Sequence, residues 1–274
     1  MPVPIATAGA AMRNVMRREV ACIDRALGLQ QGLDASVHEA RKAIRRLRAL
    51  LGLCRGQFDG LDDIGGRLQA IGRGLSVLRD AQASIDTARK LAALQAATPW
   101  AAAEDRLRQR RQRLVDAALA KDPGFARRRA CIASIATTLD GLPWESLSAA
   151  RLQRALRKSG KRVARAGRRA SKAPSARSLH RWRRRLRTLR MQLDVIAEVA
   201  PGSASRASAT AAGRQGKALR RQADALGWRQ DLEVLRRLLR PMRELPGKPG
   251  LLAGIREEID RLGREMSKDV DQGA

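Results

Sequence analysis

The chain contains no tyrosine, two phenylalanines and four tryptophans, so aromatic residues make up 2% of its 274 positions. A single-stranded nucleic-acid binder normally stacks bases on aromatic rings, and this composition counts against one. Val, Ile, Thr and Phe are sparse, and no segment alternates apolar with polar residues, which argues against a substantial sheet. No uncharged apolar run approaches the roughly 18 residues of a membrane span. The opening MPVPIATAGAAM lacks a basic n-region, and prolines interrupt its apolar run, so it makes a poor secretory signal. Cys22, Cys54 and Cys131 are odd in number and widely spaced, without a C-x-x-C pair. That usage fits reduced thiols, and a cytoplasmic location is expected. Catalytic signatures are missing too. There is no Ser-His-Asp order, P-loop, G-x-G-x-x-G or H-E-x-x-H. The two histidines, His38 and His180, are flanked by cations and offer too few ligands for a metal. No metal, no cofactor and no catalytic residue is expected.

Acid is the other scarce commodity. Against 56 Lys and Arg stand 27 Asp and Glu, a net charge of +29. Such a balance favours a polyanionic partner: nucleic acid, an anionic membrane or a phosphate polymer. Arg outnumbers Lys 47 to 9. A guanidinium forks onto phosphate oxygens, although GC-rich codon usage accounts equally well for the ratio. Codon usage does not account for clustering. Residues 151–190 hold 17 Lys or Arg and no Asp or Glu.

The prolines and glycines divide a helix-forming composition rich in Ala, Leu, Arg and Gln. The pattern predicts helices over about 8–29, 35–57, 61–97, 100–120 and 125–140 in one half. In the other it predicts about 146–172, 176–199, 206–240 and 251–267. Asp34 or Ser36 is the expected cap of the second helix. Gly141-Leu142-Pro143 is the clearest break, dividing the chain into 1–142 and 143–274. Gly65-Gly66 and Gly72-Arg73-Gly74 fall inside a helical pattern and suggest close helix packing. Trp100, Trp144, Trp182 and Trp228 lie at helix starts or on apolar faces and read as core. The runs Arg110, Arg111, Arg113 and Arg127 to Arg129 read as solvated faces.

The halves repeat one another. VHEARKAIRRLRALL lies over LHRWRRRLRTLRMQL without a gap, at an offset of 142 residues. His38 matches His180, Arg41 matches Arg183, Lys42 matches Arg184, Arg45 matches Arg187 and Arg48 matches Arg190. On a helical wheel each set shares one face, within about 80° of its histidine, and apolar residues fill the other. Like charges a turn apart repel, so a face built of them suits an anion. The preceding helices align at an offset of 144, Arg13 with Arg157, Arg17 with Lys161 and Arg18 with Arg162. LSVLRDAQA lies over LGWRQDLEV, setting Asp80 against Asp231. An Asp that orients a basic side chain from behind is the favoured role for both, ahead of catalysis or metal binding.

The paired H-x-x-R-[KR]-x-x-R-x-x-R motifs, each after a basic helix and before a long helix with a Leu-rich Asp motif, resemble the CHAD family. CHAD stands for conserved histidine α-helical domain. The resemblance runs from about Met12 to Met266. In the second copy, Met191 and Asp194 stand where the family motif has Tyr and Glu. Gly160 stands near the place of a common tyrosine, and Gln230 where Asn is usual. The resemblance implies an all-α fold, with tandem four-helix bundles related by a pseudo-twofold axis around a central basic pore. It implies binding of inorganic polyphosphate and association with polyphosphate granules.

Non-catalytic polyphosphate binding is therefore the leading expectation, since such a polymer has no bases to stack. The residues expected to carry it are His38, Arg41, Lys42, Arg45 and Arg48, then His180, Arg183, Arg184, Arg187 and Arg190. Arg17, Arg157, Lys161 and Arg165 are expected to add to them. The alternative is a sequence-independent binder of nucleic acid or an anionic surface; duplex binding needs no aromatics. An enzyme would need an acid–base pair or a metal at the basic face, and that face has no acids.

Overall fold

A computed structural model gives the fold and describes residues 7–29, 32–95, 99–173, 175–199 and 224–271. Among these residues there are nine α-helices and no strand. They are α1 (Ala8–Leu27), α2 (Leu33–Cys54), α3 (Leu61–Leu94), α4 (Ala101–Lys121), α5 (Ala126–Asp140), α6 (Ala149–Lys172), α7 (Ala176–Val199), α8 (224–239) and α9 (Lys248–Asp271). The helical reading thus holds, with most bounds within three residues. The expected first turns of the eighth helix, 206–223, lie outside the described residues.

Local chemistry accounts for most ends. Thr7 caps α1 by accepting from the Ala10 amide at 3.2 Å, and Ser148 caps α6 by accepting from Arg151 at 3.4 Å. A side-chain oxygen there satisfies an amide with no partner inside the helix. One expectation fails at an end. Neither Asp34 nor Ser36 caps α2, because the helix starts earlier, after Gly32 at φ +79°. The last helix starts three residues before the expected 251, and Pro249 stands inside its first turn, where a missing N–H costs nothing. Between α4 and α5 the buried Asp122 accepts from the Arg127 amide at 2.9 Å and from Arg128 Nη1 at 2.7 Å. Arg128 also lies over the Phe125 ring, and Arg129 pairs with Asp24 on α1. Arg128 is thus held in structural contacts rather than on the solvated face expected from the sequence, whereas Arg129 is exposed as expected.

The chain forms two compact units, Met1–Ser76 with Leu119–Ala223, and Val77–Ala118 with Asp224–Ala274. Each takes helices from both 1–142 and 143–274, so spatial grouping cuts across the sequence repeat. The first unit holds α1, α2, α5, α6 and α7 with the start of α3. There α1 packs on α2, α6 on α7, and α2 on α7. Met12, Met16 and Ile23 of α1 and Leu47 and Leu50 of α2 are buried in its core with Leu186 and Leu189 of α7. Gly9 admits the 3-10 turn at Trp144–Ser146, since a Cβ there would lie 1.7 Å from the Trp144 carbonyl oxygen. Trp144 is buried, and its indole donates to the Leu139 carbonyl at 2.7 Å.

The second unit is held by a separate apolar cluster, with Ile85 and Leu91 of α3, Trp100, Leu107 of α4, Leu232 and Leu235 of α8 and Ile255 of α9. Trp228 packs at its edge, donating to Glu258 at 2.7 Å beneath the Lys90 ammonium. Trp182, in the first unit, lies against Gly167 of α6. All four tryptophans therefore pack. The glycine expectation fails at Gly65 and Gly66, where an added Cβ meets nothing within 4 Å.

Candidate functional site

The site begins with two apolar stripes. Ala40, Ala43, Ile44, Leu47 and Leu50 bury one side of α2, and Leu186, Leu189 and Val195 bury one side of α7. Gln192 ties the helices together. Its Nε2, fully inside, donates to the Ala49 carbonyl at 2.8 Å. Gly52 makes room for it, since a Cβ there would come within 3.4 Å of the same nitrogen. Direct packing of α2 on α7 thus fixes the two histidine-bearing helices against each other.

With the apolar sides inward, the cations occupy the flanks. Arg41 Nη1 donates to the Gly72 carbonyl at 2.6 Å and to Ser76 Oγ, both on α3. Arg48 Nη2 donates to Gln69 Oε1 at 2.7 Å, again on α3. Both guanidiniums are half-buried, and these acceptors on α3 are neutral. Arg48 has Arg184 of α7 and Arg73 of α3 as charged neighbours. Burial first, and then these two cations, lower its proton affinity below the usual arginine range. Two exposed cations from two other helices therefore act on Arg48 as like charges.

The remaining expected residues divide. His38, Lys42, His180 and Arg184 are exposed, while Arg45, Arg183, Arg187 and Arg190 are half-buried. Lys42 lies 3.3 Å from Glu39 on its own helix. Arg17 is placed elsewhere, in a cavity of about 570 Å³ between α1 and α5, where it bonds Asp140. Arg157, Lys161 and Arg165 are exposed on α6, on the side opposite its buried Leu152, Val163 and Ala170. Asp80 and Asp231 come together in the second unit, lining one small cavity with Arg79, and Asp231 lies 3.9 Å from that arginine. Among the described residues no three His, Cys, Asp or Glu group as metal ligands would.

Sequence reasoning missed Arg73 and Gln192. Arg73 sits between two glycines, outside any periodic cation stripe, so only the packing of α3 reveals its proximity to Arg48. Gln192 carried one faint signal, a polar residue in an apolar stretch of α7.

An all-α protein with two cation-faced helices packed side by side is the class that fold and site define. The chain belongs to the CHAD domain family, whose model matches residues 18–240. It is similar in fold to the CHAD domain from the plant Ricinus communis, with a TM-score of 0.61 at 20% identity over 96% of this chain and 88% of that one. It is also similar to PptA from Streptomyces chartreusis, with a TM-score of 0.72 at 17% identity over 96% of this chain and 99% of that one. No curated protein matches the chain. Among the described residues no helix is long and apolar enough to cross a membrane.

Proposed function

We propose that this protein binds inorganic polyphosphate without transforming it, through the cations of α2 and α7. The observation that supports the reading best is that half-buried Arg48 of α2 has two exposed cations, Arg184 of α7 and Arg73 of α3, as its charged neighbours. A phosphate chain carries a charge on every unit and can lie across several guanidiniums at once. His38, Arg41, Lys42, Arg45, His180, Arg183, Arg187 and Arg190 extend the surface along the two helices. Membership of the CHAD family agrees with this reading, and with association of the protein with polyphosphate granules. Guanidiniums donate to phosphate oxygens but stay protonated, so they give no general base at neutral pH. Binding without hydrolysis is what such a donor set supports.

Chain length tests the proposal. Long-chain polyphosphate is expected to bind far more tightly than pyrophosphate, because a short anion reaches few of the cations at once. Log affinity is expected to fall steeply and linearly with log salt, as counterions are released. Isothermal titration at several salt concentrations reads both. Equal affinity for pyrophosphate and long polymer would point to a small-anion pocket and defeat the proposal.

A further inference from the structure

A second basic surface lies apart from the histidine helices. Helix α6 carries ten Lys or Arg and no Asp or Glu over Ala149–Lys172. It buries Leu152, Val163, Ala166 and Ala170 and packs on α7 and α2. Arg154, Lys158, Lys161, Arg165, Arg168 and Lys172 fall on the opposite side, within about 60° of one line along the helix. All six are exposed. Among the described residues none of them makes an ion pair, in contrast to Arg17 and Arg18 of α1. Among the described residues no counter-charge therefore quenches this face.

The chemistry of the face narrows its partner. A helix that lies in a lipid interface needs apolar residues on its exposed side. The exposed large apolar residues among those described are Val77 and Leu94, and neither is on α6. The exposed side carries no aromatic ring on which single-stranded bases would stack. What remains is a straight, convex row of cations running about 27 Å from Arg154 to Lys172 at 1.5 Å per residue. A duplex presents about one phosphate charge per 1.7 Å of its axis on a rigid, wide cylinder. Its major groove, about 12 Å across, admits an α-helix. A thin flexible polymer gains most where several guanidiniums converge on it. A stiff duplex gains most from a straight row that it can lie along.

We infer that the outer face of α6 is a separate binding surface for duplex nucleic acid, engaged through the phosphates without regard to base sequence. The test replaces four of its cations with a helix-forming neutral residue, as Arg154→Gln, Lys158→Gln, Arg168→Gln and Lys172→Gln together. Binding to mixed-sequence duplex DNA of about two helical turns is followed by fluorescence anisotropy across a salt series. The variant is expected to bind duplex at least about tenfold more weakly, with the log–log salt slope reduced by about 3. Its affinity for long-chain polyphosphate is expected to stay within about twofold, the scatter of independent sites. Arg183→Ala with Arg187→Ala is expected to do the reverse. Circular dichroism checks that both variants keep their helices. Unchanged duplex binding in the α6 variant overturns the inference. Equal losses for duplex and polyphosphate overturn it as well, since the face would then be part of one continuous polyanion track. So does loss of binding to vesicles of anionic phospholipid while duplex binding persists. The polyphosphate proposal is read from the other variant, so either can fail alone.

Discussion

At matched positions of the repeat, α1 carries Arg13, Arg17 and Arg18, and α6 carries Arg157, Lys161 and Arg162. On α1 every one of these charges meets an acid. Arg17 bonds Asp140, Arg13 lies 3.9 Å from the same carboxylate, and Arg18 pairs with Glu198 of α7. On α6 none of the three makes an ion pair among the described residues; the Arg162 carbonyl instead accepts from Arg185. The difference comes from the neighbours rather than from the helices. Helix α5 lies along α1 and brings Asp140 to it, whereas the outer side of α6 is exposed. A shared motif is thus ion-paired in one copy and exposed, with no ion pair among the described residues, in the other.

The sharpest break in that comparison concerns the site itself. Well-formed contacts between a cation and phosphate contribute roughly 1.5–3 kcal/mol each. Arg183→Ala with Arg187→Ala is expected to weaken polyphosphate binding by about 3 kcal/mol or more, over a hundredfold if the contributions add. Arg110→Ala with Arg111→Ala, on α4, is expected to change it little. Titration with long-chain polymer measures both pairs. Equal losses would mean that net charge alone governs binding; no loss in either would move the polymer off the histidine helices.

Packing gives the next effect. Gly9 is required on α1 because the Trp144 carbonyl fills the space of its Cβ. Gly9→Ala is expected to destabilise the protein by about 2–3 kcal/mol, the cost of forcing backbone apart. The matched residue on α6 is Gln153, and Gln153→Ala is expected to stay within about 0.5 kcal/mol. Chemical denaturation of the two variants compares the helices directly. Similar losses in both would show that the asymmetry between α1 and α6 is confined to charge.

The smallest effect is electrostatic. The hydrogen bond from Arg17, more than its charge, holds the Asp140 carboxyl below the usual aspartate range. A depressed folded-state pKa adds stability that is present above the ordinary aspartate pKa and lost as pH falls through the depressed one. Arg17→Ala is expected to cost no more than about 1 kcal/mol near neutral pH, since the pair is half-exposed. Its thermal stability should also depend less on pH in the acid range than that of the unaltered protein. A parallel acid profile for both would assign no stabilising role to the pair.

Much of the fold was legible in the sequence, because helix periodicity, prolines and caps act locally. The wheel placed the cations of α2 and α7 opposite their buried residues, and Leu47, Leu50, Leu186 and Leu189 are buried as the stripe requires. Partnership was not legible. Arg128 looked like solvent-facing charge until the buried Asp122 was brought to it. Arg73 looked like helix packing until α3 set it beside Arg48.

By itself, then, the sequence determined the helical composition, the duplicated histidine motifs, the sign of the charge and the side of each helix on which cations stand. These follow from interactions within about a turn of chain, or from composition alone. Only the tertiary structure decided which cations are ion-paired and that each compact unit draws on both halves of the repeat. Those outcomes depend on contacts such as Arg17 with Asp140, 123 residues apart, and Gln192 with Ala49, 143 apart. Separations of that size leave no periodic trace, because the pairing energy belongs to the packed helices and not to either segment.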